Sequence, residues 1–168
     1  MKTLVIHPSD ATTDFLKEIY LNKSWTVINN NPSKKFLKEM IKTHDRIIML
    51  GHGCKDGLFG FDRLVIDSNL VYLLREKNCV CIWCNADEFV EKYNLRGFYT
   101  GMIISDVEEA LMYFIKTDLN QIKESNEMFA NAIKIGLDYS FMVDKVKSLY
   151  NSKENSVIFF NRGNLFFK

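Results

Sequence analysis

The sequence predicts an α/β protein, a three-layer sandwich with a mostly parallel sheet flanked by helices. Two observations carry that prediction. The runs "RIIMLG" (46–51) and "CVCIWC" (79–84) are apolar almost throughout, as strands are when helices cover both faces of their sheet. Such runs also alternate along the chain with segments whose apolar residues recur at helical spacing, the order that builds parallel sheets.

A chain of 168 residues suits one core and would leave two cramped, so a single domain over 1–168 is expected. Hydrophobic residues make up 47% of it, with thirteen Phe, which is ample for a buried core and unlike a disordered chain. Twenty-two Lys and Arg against twenty-one Asp and Glu leave a net charge of +1, so no global field draws in nucleic acid or an anionic membrane. No apolar stretch approaches a membrane span and the start is too short in apolar residues for a signal peptide, which points to a soluble, cytoplasmic protein. Of four cysteines, Cys79, Cys81 and Cys84 crowd into one run. That pattern suits reduced thiols better than a disulfide framework.

The first element is a strand in "TLVIHP", ended by Pro8. In "SDATTDFLKEIYLNK", Ser, Asp and Thr offer caps to a helix carrying Phe15, Leu16, Ile19 and Tyr20. "WTVINN" and "SKKFLKEMIKTH" repeat the pair, with Phe36, Leu37, Met40 and Ile41 on one helical face. After "RIIMLG" comes a Gly-rich turn, a hairpin in "GLFGFDRLVID", and the short crossover helix "SNLVYLLREK" leading to "CVCIWC". A right-handed crossover opens both strand ends onto one sheet edge.

A short helix in "NADEFVEKYNL", where Asn85, Ala86 and Asp87 serve as its cap, and a strand in "GFYTGMIIS" follow. Helices dominate from about 107 to 150, in "VEEALMYFIK", "LNQIKESNEMFANAIKIG" and "YSFMVDKVKSLY". Glu108, Glu109 and Asp118 stand near helix starts, where they favour the helix dipole, and Tyr139, Phe141, Met142, Val146 and Leu149 form an apolar face that completes the sandwich. "SVIFFNRGNLFFK" ends the chain as a β segment over about 156–167, a hairpin around Asn161–Asn164 or a last sheet strand. An uncovered Phe-rich edge there invites a second copy, a route to a homodimer.

In parallel α/β folds, ligands and chemistry gather at the carboxyl ends of strands. His52 and Cys84 both lie at such ends, one crossover apart. If they face each other, the imidazole can take the thiol proton or hold the thiolate as an ion pair, and the result is an acyl-transfer nucleophile. Glycine lets backbone approach a substrate closely, so the N–H groups of Gly53 and Cys84 are the candidate oxyanion donors.

The pairing of "IIMLGHG" with "CVCIWCN" resembles the caspase-like cysteine peptidases, a superfamily that includes caspases, gingipains, separases and CHAT domains. The resemblance covers about residues 46–86 by motif and the first hundred by element order, and the Cys84–Asn85 pair is similar to CHAT domains in particular. It implies caspase-like topology, His52 as general base or acid, Cys84 as nucleophile, Gly53 with Cys84 as oxyanion hole, a peptide or protein substrate and no cofactor. Trp83 departs from the family pattern, which often has a small residue before the cysteine, and so bears on the primary pocket.

Other chemistries are weaker. Cys81-x-x-Cys84 lies inside a strand, unlike a redox pair opening a helix, and no second ligand pair completes a zinc site. A metal held by Cys54, His52 and Cys84 requires all three to converge. The glycines at 51, 53, 57 and 60 match no phosphate-binding spacing, and Phe59 and Phe61 read as packing residues. His7 ends the first strand near the same edge, but a strand-end His before Pro8 is more often a turn residue, and it is assigned no site role. The rival to a hydrolase is a non-enzymatic flavodoxin-like or Rossmann-like module binding a ligand or protein at the same strand ends, or an inactive caspase-like homologue.

Overall fold

The computed structural model describes residues 1–168. Strands β1 (Thr3–Ile6), β2 (Thr26–Ile28), β3 (Arg46–Leu50), β7 (Asn78–Ile82), β8 (Gly97–Thr100) and β9 (Leu165–Phe167) form one sheet in the order β2-β1-β3-β7-β8-β9. All neighbours run parallel except β8 and β9. The fold is therefore the expected α/β sandwich with a mostly parallel sheet. A second, antiparallel sheet of β4 (Gly53–Cys54), β5 (Gly57–Gly60) and β6 (Arg63–Ile66) follows β3 in the chain and precedes β7, and contains the expected hairpin.

Side-chain alternation divides the core in two. Leu4, Ile6, Ile47, Met49, Cys79, Cys81 and Trp83 turn to one face, under α1 (Lys34–Lys42), α2 (Val71–Leu74) and α3 (Ala86–Tyr93). Val5, Ile48, Leu50, Val80, Ile82 and Phe98 turn to the other, where the 3-10 helix Ala11–Ile19, α5 (Leu119–Gly136), α6 (Met142–Leu149) and α7 (Ser156–Gly163) supply Leu16, Phe129, Val146 and Ile158. Burial on both sides explains why the central strands show no polar alternation. No helix is long and apolar enough to cross a membrane.

Three segments differ from the sequence reading. The expected α-helix after β1 is wound as a 3-10 helix. The helix expected over "VEEALMYFIK" is α4 (Val107–Met112), which stops before Phe114 adopts a φ of +57°. Most of the expected β segment at 156–167 is helix α7, and no hairpin forms around Asn161–Asn164. The Asn155 side chain accepts from the Val157 and Ile158 N–H groups, which starts a helix, and Val157, Ile158 and Asn161 then share its buried face. Only Leu165–Phe167 remains a strand, at the sheet edge.

Candidate functional site

The carboxyl ends of β3 and β7 lie side by side. Leu50 is level with Ile82 in the parallel register, and the Gly51 N–H continues the ladder to the Ile82 carbonyl at 3.1 Å. His52 and Cys84 each stand two residues beyond that level pair. Neighbouring strands are spaced about 4.8 Å apart, so the two strand ends open onto the same part of the rim. Both line one small cavity of about 30 Å³, together with Thr13, Ile82, Trp83 and Ile103.

Two glycines shape the His52 turn for different reasons. Gly51 has a φ of +140°, which L side chains rarely adopt, and it swings the chain off the sheet. A Cβ on Gly53 would come within 2.1 Å of the Trp83 ring. Trp83 is 2% exposed, packs edge-on to Phe89 and donates its indole N–H to the Cys54 carbonyl at 3.1 Å. The bulky residue before Cys84 is therefore a core group that fastens the β3 turn to β7, and only glycine leaves room for it.

The candidate oxyanion donors have distinct settings. The Phe59 N–H bonds to the His52 carbonyl at 2.8 Å, so the next residue pair, Gly53 with Leu58, falls at a non-hydrogen-bonded step of the hairpin. The Gly53 N–H consequently turns away from β5. The Cys84 N–H has no protein acceptor, while the neighbouring Asn85 and Ala86 N–H groups are taken by the Gly101 and Trp83 carbonyls. Asn85 contributes no side-chain cap to α3 and instead turns the chain through a left-handed φ of +62°.

The two side chains have opposite surroundings. The His52 side chain is 42% exposed, and its Nε2 lies 2.6 Å from Thr12 Oγ1 and 3.7 Å from Asp10 Oδ1. The half-buried Cys84 thiol donates to the Ile103 carbonyl at 3.6 Å. Burial pushes that thiol up to about 11; the Ile103 contact opposes the rise, and the carboxylates of Glu109 and Asp106 add to it. No hydrogen bond joins Cys84 to His52.

Asp10 and Thr12, legible in the sequence only as helix caps, also belong to this rim. Asp10 does cap the 3-10 helix, through the Thr12 N–H at 2.8 Å, and the same Thr12 reaches His52 across forty residues of sequence. Their signal was positional: they follow β1, and β1 neighbours β3. His7 is not a turn residue but a buried one, with Nδ1 3.0 Å from the Tyr20 hydroxyl and Nε2 3.2 Å from Thr13 Oγ1. Burial, helped by Lys17, lowers it to about 4.

A second cleft, of about 450 Å³, opens beside His52 between the β1 loop and the hairpin, lined by Pro8, Asp10, Phe59, Phe61, Asp62 and Arg63 among others. Sheet order reverses between β1 and β3, so this cleft stands at the topological switch point. Cys54, two residues from His52, accepts the Asp56 N–H on its sulfur at 3.4 Å, and no three His, Cys, Asp or Glu side chains come close enough together to hold a metal ion. Cys81 is fully buried inside β7. The chain matches no protein-family model, and a search of curated proteins returned no match.

Proposed function

We propose that the protein is a cysteine peptidase or related acyl hydrolase of caspase-like topology, with Cys84 as nucleophile and His52 as general base. One observation carries the proposal: neighbouring parallel strands, level at Leu50 and Ile82, present imidazole and thiol at the same offset on one cavity. A thiol held near 11 is protonated at neutral pH. This favours proton transfer to the imidazole during attack over a resting ion pair.

In the acylation step the Cys84 sulfur bonds to the carbonyl carbon while its proton passes to His52, and the carbonyl electron pair moves to oxygen. The Gly53 and Cys84 N–H groups meet that oxyanion. Collapse breaks the bond to the leaving group, which takes the proton from the imidazolium. Water, deprotonated by His52, then releases the acid and restores the thiol. A cavity of about 30 Å³ is too small for a peptide carbonyl with its substituents, so the thiol must leave the Ile103 carbonyl as substrate enters. The adjacent cleft offers room for a peptide or protein side chain. Four free thiols suit a reducing compartment such as the cytoplasm.

A second reading has its own observation. The cleft at the switch point, with the thiol tied back beside it, also suits a flavodoxin-like ligand-binding module or an inactive homologue. A diverse library of quenched fluorescent peptides separates the two. A hydrolase cleaves members of the library and loses that cleavage in both Cys84→Ala and His52→Ala. Cleavage that survives either substitution contradicts the dyad, and no cleavage by any form favours the binding reading.

A further inference from the structure

We propose that Asp10 and Thr12 act as a positioning relay that holds His52 in the tautomer protonated on Nε2, so that Nδ1 is the nitrogen that receives the thiol proton. The inference rests on the hydrolase reading for its purpose, though not for its geometry.

The geometry leaves one arrangement of hydrogens. Asp10 Oδ1 lies 2.5 Å from Thr12 Oγ1 and also accepts the Thr12 N–H at 2.8 Å. These two bonds hold the Asp10 carboxyl below its ordinary value, and an ionised carboxylate can only accept. The single hydroxyl hydrogen of Thr12 therefore points at Asp10. Thr12 Oγ1 is at the same time 2.6 Å from His52 Nε2, a contact between two lone pairs unless the ring nitrogen carries the hydrogen. Nε2–H donates to Thr12, Thr12 donates to Asp10, and the neutral ring keeps its lone pair on Nδ1.

The same arrangement serves the step that follows. When Nδ1 takes a proton, the ring becomes a cation with Asp10 Oδ1 3.7 Å from its far nitrogen. The carboxylate offsets the new charge without having to move, because its cap on the 3-10 helix already fixes it. Asp10 and Thr12 belong to the cap and first turn of the 3-10 helix that follows β1, the strand on the opposite side of β3 from β7, so the imidazole is held from the flank away from Cys84. Asp10 and Thr12 are exposed, which limits the strength of each bond but not the direction of the hydrogens.

The test is nitrogen NMR of the full-length, 15N-labelled protein at a pH where the rings are neutral, with His52 assigned by its absence in His52→Gln. The Nε2–H pattern is expected for His52 in the wild type. Thr12→Val should lose that single pattern and give a tautomer mixture, and Thr12→Ser should restore it. Acetylation of Cys84 by p-nitrophenyl acetate should fall about tenfold or more in Thr12→Val and recover in Thr12→Ser. A wild-type ring protonated on Nδ1, or a Thr12→Val ring still wholly Nε2–H, overturns the relay. An Nε2–H ring in a protein that never acetylates Cys84 keeps the relay and removes the hydrolase.

Discussion

The end of β3 and the end of β7 occupy level positions on one sheet, yet their side chains are prepared in opposite senses. His52 stands open at the rim and is gripped by two polar residues of a neighbouring loop. Cys84 is half-buried against a backbone carbonyl, with burial and two carboxylates keeping its proton on. The lesson is that adjacency alone does not activate a thiol. Under the proposed hydrolase reading, the imidazole is already held in place, whereas the thiol must be drawn off the Ile103 carbonyl by whatever enters the site.

The widest break in that comparison comes from removing the thiol. Cys84→Ala should abolish acyl transfer, a loss of at least a thousandfold in rate, while leaving the thermal unfolding midpoint close to wild type. Unchanged turnover would move the nucleophile elsewhere. Next in size is Trp83, the group that fastens one rim to the other. Trp83→Ala should cost roughly 3–5 kcal/mol by urea unfolding, and Gly53→Ala about 1–3 kcal/mol by forcing a Cβ into the same ring. If Gly53→Ala were neutral, the tie between the two ends would be looser than the packing indicates.

His7, beneath the loop that holds His52, sharpens the contrast through pH. Its folded value of about 4 lies below the ordinary 6.5, so the unfolded chain binds a proton that the folded chain refuses. Stability is then full above about 6.5 and falls as the pH drops towards 4, by about 3 kcal/mol in all. Urea midpoints measured between pH 7 and 4 should show this slope, and His7→Gln should flatten it. The last effect concerns the resting thiol. With a value near 11 against the usual 9.0, Cys84 should react with iodoacetamide at neutral pH about a hundredfold more slowly than a free cysteine. Glu109→Gln should speed that reaction modestly by removing a like-signed neighbour.

The regions differ as much in how far the sequence disclosed them. β3 and β7 were legible because a strand covered on both faces is apolar without alternation, and Gly57–Ile66 was legible because two β-rich runs flank a short turn. The level register of Leu50 with Ile82 was not, since a crossover's length suits neighbouring strands without fixing that they are adjacent or which residues face. "VIFF" reads as strand by composition, and the Asn155 cap together with tertiary packing made it helix. Asp10 and Thr12 were legible as caps, but their second partner is distant in sequence and is brought near only by the placement of β1 beside β3. The Cys84 environment was hidden for the same reason, because Ile103, Asp106 and Glu109 reach it from beyond β8.

Whether the two rim residues work as a unit is tested most directly by the rate at which p-nitrophenyl acetate acetylates Cys84 at pH 7.5, followed by intact mass, in wild type and in His52→Ala. General-base assistance predicts a rate about a hundredfold or more higher in the wild type. Equal rates in the two proteins would mean that the imidazole does nothing for the sulfur, and the paired strand ends would then be neighbours without a shared chemistry.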